Sequence, residues 1–318
     1  MNSLARRHAV LSRSALFLML GTLGGCLGPV IILWGYPFPQ DSPSQTFITQ
    51  PEFLTFLFLT SVYTSISTLL AFPLWRSLRF LKGYMKGHQV EVMVILTAML
   101  FLFFAPTLLG RLIAFPFLDP QPFDLEHLRV KIIALILVGT IAIAPAAIGT
   151  LILPNVARRD IQASRLLLPD RADDLVAIQK YLRYRQLMQQ YLYSSGAIVG
   201  LITLIAGALR NVRLAVGLTE TQFPQSVIIT FGLYWSAILA LFYTIGQLAL
   251  LECGQHLRDD IYPLNSLTSL MNKTEQRRGL NEILHLNASV EQNIRNAIAI
   301  LAPLLTGLIA NLLSIESP

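Results

Sequence analysis

The apolar stretch IIALILVGTIAIAPAAIGTLIL, at residues 132–153, contains no charged side chain. A helix that crosses a membrane needs about 20 consecutive apolar residues, because the hydrocarbon core is about 30 Å thick. The stretch therefore predicts a transmembrane helix. Within this stretch, APAAIG at residues 144–149 contains a proline. A proline leaves one helical carbonyl without its N–H donor, and the hydrocarbon core has no water to replace that donor.

Six more stretches have a similar length and apolar character, which gives seven predicted spans. The additional ranges are 14–36, 53–74, 92–115, 191–209, 226–251 and 297–315. The last range contains Asn311, so we expect it either to span the membrane or to form a re-entrant segment. The predicted fold class is all-α, a polytopic transmembrane helix bundle of about seven spans, or six plus a re-entrant segment, with a small cytoplasmic helical cap.

The composition excludes an ordinary soluble domain. Of the 318 residues, 54% are hydrophobic and 13% are charged, whereas about 25% charged residues is typical of soluble domains. In a soluble protein, a net charge of +6 would suggest nucleic-acid binding. Here the basic residues are spread over loops that flank the spans, so we expect a lipid bilayer as partner and no nucleic acid.

The distribution of basic residues predicts the orientation. Most of the 24 lysines and arginines fall on the side that holds the N-terminus, and the other side keeps Arg111, Arg129, Lys131, Arg210 and Arg213. The positive-inside rule then places the N-terminus in the cytoplasm, and we expect a bacterial inner membrane. LGGC at residues 23–26 resembles a lipoprotein cleavage box, but the apolar run continues to full span length and favours an uncleaved helix.

The predicted loops divide the chain into five parts. Residues 1–154 form a membrane region of four spans, 155–190 a cytoplasmic helical segment, 191–251 spans five and six, 252–296 a second cytoplasmic segment, and 297–318 the C-terminal helix. The first cytoplasmic helix should continue unbroken into span five. In the second segment Asn272 is a predicted helix cap, and Leu280, Ile283 and Leu284 form the face predicted to pack on that first helix.

The APAAIG motif recurs as APTLLG at residues 105–110 and as APLLTG at 302–307. Proline removes one helical hydrogen bond and kinks the helix, and a glycine four residues later allows another backbone to approach the bend. The motifs indicate either tightly packed kinked helices or bent helices around a pore. The kink and packing residues are Pro106, Gly110, Pro145, Gly149, Pro303 and Gly307. By contrast, Pro73 is predicted to end span two.

A face of hydroxyls runs along span two. Ser61, Thr64, Ser65 and Thr68 lie on one side of the helix and are candidate pore-lining residues. The alternative is that they bond their own helix or a neighbouring one. Glycine pairs of the GxxxG type in spans one and five predict close helix contacts, within one chain or in a homo-oligomer.

Ionisable residues are absent from the predicted span interiors, apart from Arg111 near one end. Proton-coupled transporters and intramembrane enzymes usually need such groups, so we expect no enzyme and no cofactor. Just below span six, Glu252, His256 and Asp260 share a helical face. They form a weak candidate metal site, or else a solvated helix surface.

Arginines alternate with tyrosines at the predicted cytoplasmic boundary of span five. Arg183 and Arg185 are therefore candidates for binding anionic lipid headgroups. Together these features favour a non-enzymatic oligomeric channel or pore-like assembly, either a regulated channel or a membrane-permeabilising effector, controlled by its cytoplasmic helices. The alternatives are a membrane scaffold that recruits a soluble cytoplasmic protein partner, and a facilitative transporter.

Overall fold

The fold is given by a computed structural model that describes residues 2–35, 43–87, 89–108, 127–167, 171–263, 267–286 and 290–312. Every regular element in these ranges is an α-helix, which confirms the all-α prediction. In chain order the helices are α1 (Asn2–Leu33), α2 (Pro43–Thr49), α3 (Pro51–Gly87), α4 (Gln89–Leu108), α5 (Leu128–Leu167), α6 (Arg171–Ala215), α7 (Ser226–Ile261), α8 (Leu267–Ile283) and α9 (Val290–Leu312).

Five helices within the described residues are long and apolar enough to cross a membrane. These segments are Ala15–Leu33, Pro51–Arg79, Leu128–Ala163, Asp174–Ala215 and Ser226–Ile261. Predicted spans three and seven correspond to α4 and α9, but residues 109–115 and 313–315 of those spans lie outside the described residues. The helical membrane class is thus supported, while the count of seven spans stays a prediction.

Several helices run further than the predicted spans. The prediction that Pro73 ends a helix is wrong, because α3 passes through it and continues to Gly87. Likewise α5 passes through Pro154 before it ends at Leu167. A proline bends a membrane helix without ending it where neighbouring groups bond the carbonyl that it frees. The predicted continuity into span five is confirmed, since α6 is a single helix of 45 residues.

Helices α3, α5 and α6 pack against one another at the centre, with α1 against α3 and α9 between α6 and α7. The buried side chains form two clusters, one toward each end of the bundle. One cluster includes Ile32, Leu128 and Phe223, and the other includes Tyr181 and Leu284. We call the second end, which carries α8, the α8 end. It is the end that the basic residues assign to the cytoplasm.

The small helix α8 differs from its prediction at its start. It begins at Leu267, so Asn272 lies inside it and is not its cap. Leu280 and Leu284 are buried among side chains of the α8 end, whereas Ile283, predicted to belong to the same packed face, is 55% exposed. The reason is that residues four apart share one face of a helix, and that face is the one packed on the bundle.

Candidate functional site

The four hydroxyls predicted to line a pore face helix α1. Each contacts its backbone: Ser61 Oγ donates to Gly25 O (2.7 Å), Ser65 Oγ to Gly21 O (2.8 Å) and Thr68 Oγ1 to Leu20 O (3.1 Å), while Gly28 N donates to Thr64 Oγ1 (3.1 Å). Thr64 and Thr68 also donate to carbonyls one turn earlier in α3. Within the chain, this geometry matches the packing alternative.

Glycines of α1 make this contact close. A Cβ atom built on Gly24 or Gly28 would overlap α3, at Thr68 Oγ1 and at the Thr60 carbonyl respectively. A Cβ on Gly25 would meet nothing nearer than 3.5 Å. The GxxxG pair of α1 is therefore used inside the chain, where small residues let two helix backbones approach.

Prolines inside three helices each free the carbonyl four residues earlier, since proline has no N–H. In each case a side chain of a neighbouring helix donates to the freed oxygen. The pairs are Ser61 Oγ to Gly25 O at 2.7 Å (Pro29), Tyr234 OH to Leu102 O at 2.7 Å (Pro106) and Trp75 Nε1 to Ile141 O at 3.1 Å (Pro145). These carbonyls are therefore bonded to protein.

Two further freed carbonyls lie against glycines. Pro303 frees the Ala299 carbonyl, and an ideal Cβ on Gly196 of α6 would lie 2.5 Å from that oxygen. Pro154 frees the Thr150 carbonyl, and an ideal Cβ on Gly246 of α7 would lie 2.5 Å from it. Such close approach suits a Cα–H···O contact and requires glycine.

Two of the three APxxxG glycines also sit at helix contacts. Gly149 lies against the ring of Tyr191, where a Cβ would overlap. A Cβ on Gly307 would lie 3.2 Å from the Ile228 carbonyl. Gly110, the third, lies outside the described residues.

A narrow cavity of about 40 Å³ lies between α4, α5, α6 and α7. Its volume suits about three or four waters, at about 10–15 Å³ each. Most of its walls are apolar, and the polar groups on them are Thr150, Tyr191, Ser195 and Tyr243. The remaining wall residues are Leu102, Ile143, Ala147, Leu192, Val199, Trp235, Ile238, Leu239 and Phe242.

A second, larger space opens at the α8 end, between α6, the end of α8 and the start of α9. This basic cleft has a volume of about 360 Å³ and is lined by Leu182, Arg185, Gln186, Gln189, Tyr193, His285, Gln292 and Arg295. None of these described lining residues is acidic. The cleft is therefore polar and positively charged.

Arg185 is placed differently from the expected headgroup position. Its side chain is 3% exposed, and it donates from Nη1 to Leu284 O at 2.8 Å and from Nη2 to Gln292 Oε1 at 2.7 Å. The reason is that α8 ends here, and its last carbonyls need donors from outside the helix. Arg183, two residues away, is exposed, and its contact with lipid headgroups stays a prediction.

One asparagine connects the basic cleft to the cavity. Tyr193, which lines the cleft, donates from its hydroxyl to Asn296 Oδ1 at 3.1 Å. Asn296 Nδ2 in turn donates to the hydroxyl of Tyr243, which lines the cavity, at 2.9 Å. Sequence reasoning missed this chain of bonds. The available signal was a polar residue at the start of the apolar run of α9.

The candidate metal residues do not form a metal site. His256 Nε2 lies 3.6 Å from Glu252 Oε1 with both side chains exposed, and Asp260 is also exposed. Among the described residues, no group of three His, Cys, Asp or Glu is placed to hold a metal ion. The arrangement matches the solvated helix surface that was the alternative.

Two arginines assigned to an outer loop are instead buried at the end of the bundle opposite α8. Arg210 is 2% exposed and donates from Nε to Phe223 O at 2.9 Å, and its Nη2 lies 3.3 Å from Glu220 Oε1. Arg213 is 1% exposed, with its guanidinium 5.9 Å from the centre of the Phe223 ring. Both hold the α6–α7 loop against the bundle.

No protein-family model, curated protein or solved structure matches this chain. The five apolar helices, packed through glycine and proline contacts, indicate the class of helical membrane proteins. The features that distinguish this chain are the cavity between α4 and α7, the basic cleft, and Asn296 between them.

Proposed function

We propose that the protein is a non-enzymatic membrane channel whose conduction path runs from the basic cleft into the cavity between α4 and α7. The observation that carries the proposal is the pair of hydrogen bonds from Asn296 to Tyr193 and Tyr243. These bonds join a cleft open at the α8 end to a space inside the spans. We place the α8 end in the cytoplasm, from the distribution of basic residues.

The path proposed here lies within a single chain. The glycine pairs that could have joined subunits, Gly24 with Gly28 and Gly196 with Gly200, contact α3 and α9 of the same chain. The span-two hydroxyls bond α1. A ring of subunits is therefore not needed for conduction, although exposed apolar faces leave room for an oligomer.

The described geometry corresponds to the closed state of such a channel. The cavity has room for only a few waters, and apolar side chains such as Val199, Ile238 and Leu239 line it. Hydrophobic constrictions of this kind close a pore by excluding water. Opening would require the hydrogen bond of Asn296 to Tyr193 or to Tyr243 to break. A movement of α6, which is continuous from the α8 end into the span, could cause that release.

Passive flow suits this path better than proton-coupled transport. The described residues that line the cavity include hydroxyls but no Asp, Glu, Lys, Arg or His. Proton relays through a membrane are usually built from such residues. If flux saturates as the solute concentration rises, the same path would instead serve a facilitative transporter.

The test is efflux of K⁺ and Cl⁻ from liposomes that contain the purified full-length protein. Asn296→Ala removes both bonds to the tyrosines. One net hydrogen bond is worth about 1 kcal/mol, so we expect efflux to rise about five- to tenfold. Adding Ser195→Leu, which fills the cavity, should return efflux to background.

The matched control is Ala197→Leu in the same Asn296→Ala background. Ala197 is two residues from Ser195 but is exposed on the outer face of α6, so this change should leave efflux high. A folded and inserted Asn296→Ala protein that passes neither ion would reject the channel. Efflux that Ser195→Leu and Ala197→Leu affect equally would reject the path.

A further inference from the structure

We propose that the basic cleft at the α8 end is a binding site for a phosphate-bearing anion, with Arg185 and Arg295 as its main ligands. The site lies at the mouth of the proposed conduction path, but the observations that support it do not depend on conduction. Its test is equilibrium binding, so either proposal can fail alone.

The lining of the cleft suits an anion. Two arginines, one histidine, three glutamines and one tyrosine supply hydrogen-bond donors, and none of the described lining residues is acidic. A volume of about 360 Å³ is large enough for a phosphate ester. Guanidinium groups match phosphate because their planar N–H groups can donate in pairs. Gln292 and Arg295 lie in the first two turns of α9, where the helix dipole also favours negative charge.

Arg185 provides an independent indication of a missing ligand. Its side chain is 97% buried, and it donates to two neutral acceptors, Leu284 O and Gln292 Oε1. Its Nε is buried without a hydrogen-bond partner. Among the described residues no carboxylate bonds this guanidinium, and a buried charge without a counter-ion or with an unpaired donor is unfavourable. An anion in the cleft that Arg185 lines would supply the absent charge.

His285 adds a strained residue at the same cleft. It follows the end of α8 with φ 50°, a left-handed conformation in which glycine is usual. Its own N–H and that of Leu286 bond back to Glu282 O at 3.0 Å and Asn281 O at 2.9 Å, as expected for this type of helix end. A histidine in this conformation is less favourable than a glycine, but it puts an imidazole at the cleft.

The phosphate could come from a lipid headgroup or from a soluble compound, because the cleft lies near the predicted membrane boundary. Both sources present the same tetrahedral oxyanion to the arginines. The experiment must therefore include one arm for each source.

The first arm measures binding of inorganic phosphate to the full-length protein in a neutral detergent, by calorimetry and by the thermal unfolding midpoint. The second arm compares that midpoint in bilayer discs of phosphatidylcholine alone and in discs that also contain phosphatidylglycerol. Each arm uses the wild type, Arg295→Gln and Arg278→Gln. Arg278 is the matched control, because its side chain on α8 is 82% exposed and does not line the cleft.

We expect Arg295→Gln to weaken binding at least about tenfold, the loss typical of one charged hydrogen bond, while Arg278→Gln keeps it. That pattern in the first arm supports a soluble phosphate compound, and the same pattern only in the second arm supports a lipid headgroup. The site is rejected if neither anion stabilises the wild type. It is also rejected if both variants lose binding equally, since that would reflect general attraction to positive charge. Both substituted residues are exposed in the wild type, so we expect both variants to fold. Their unfolding midpoints without anion verify this.

Discussion

Trp75 on α3 donates its indole N–H, at 3.1 Å, to the Ile141 carbonyl that Pro145 on α5 leaves without a helical partner. The indole thus occupies the place of the missing backbone N–H. An unpaired carbonyl in hydrocarbon would be unfavourable by several kcal/mol. The bond therefore ties the position of α3 to the bend in α5.

We predict that Trp75→Phe destabilises the protein by about 1–2 kcal/mol, because the Ile141 carbonyl loses its donor. In a Pro145→Ala background residue 145 regains its N–H, so the same change should have a smaller effect. The expected coupling is about 1 kcal/mol in a double-mutant cycle of unfolding in mixed micelles. Trp34→Phe, at a residue 77% exposed, is the control. Additive effects of the two changes would contradict the interpretation.

Alanine substitution should separate two glycines of α1 that lie only three residues apart. Gly28→Ala places a methyl group against the Thr60 carbonyl, so we expect a loss of about 1–3 kcal/mol from overpacking. In Gly25→Ala the new Cβ would lie 3.5 Å from its nearest neighbour, Ser61 Oγ. This change should therefore be neutral, or stabilising by about 0.5–1 kcal/mol. Thermal unfolding of both variants in one detergent measures the difference. Equal midpoints would show that the α1–α3 contact is looser than described.

Substitution of the two residues of the Arg210–Glu220 ion pair, at the end of the bundle opposite α8, should reduce stability by very different amounts. Arg210→Met leaves the Phe223 carbonyl without its donor, and we expect a cost of about 1–3 kcal/mol. Glu220→Gln should cost less than about 1 kcal/mol, because the Glu220 side chain is 75% exposed. Unfolding midpoints compare the two. A larger loss for Glu220→Gln would mean that charge pairing, and not the Arg210–carbonyl bond, holds this loop.

Replacing His285 by glycine should affect stability and binding in opposite directions. Glycine adopts the left-handed conformation freely, so we expect the unfolding free energy to rise by about 1 kcal/mol. The same change removes a donor from the basic cleft, and affinity for inorganic phosphate should fall. Calorimetry and thermal unfolding on one sample report both quantities. A fall in both, or a rise in both, would contradict the assigned role.

Periodicity and composition were sufficient to predict which segments are helical, but not where the helices end. Apolar runs define the membrane segments, as at residues 132–153, because length and hydropathy are local properties. The continuation of α3 beyond Pro73 and the start of α8 before Asn272 were not predicted, because a breaker or a cap signal is only a local preference that the rest of the fold can override. Helix α2 also lies in a loop whose Pro, Ser and Gln content favours irregular structure.

The functional residues were harder to predict, because their roles depend on which helices meet. The hydroxyl face of α3 was visible in sequence, but the α1 backbone that it contacts was not. Arg185 and Arg183 look equivalent in sequence, yet the end of α8 covers only Arg185. Asn296 gains its role from tyrosines on α6 and α7, and no spacing within α9 could have revealed them.

The freed carbonyls have a consequence for how the chain assembles in a bilayer. One carbonyl oxygen is left without a hydrogen bond from its own helix by each of five prolines, Pro29, Pro106, Pro145, Pro154 and Pro303. Each freed oxygen finds its partner only when the neighbouring helix packs in one axial position. Sliding a helix by one turn, about 5.4 Å, would separate the oxygen from the side chain or glycine that it contacts. The prolines therefore help to fix the axial position of each helix relative to its neighbour. They make misassembled bundles unfavourable before any side-chain packing is complete.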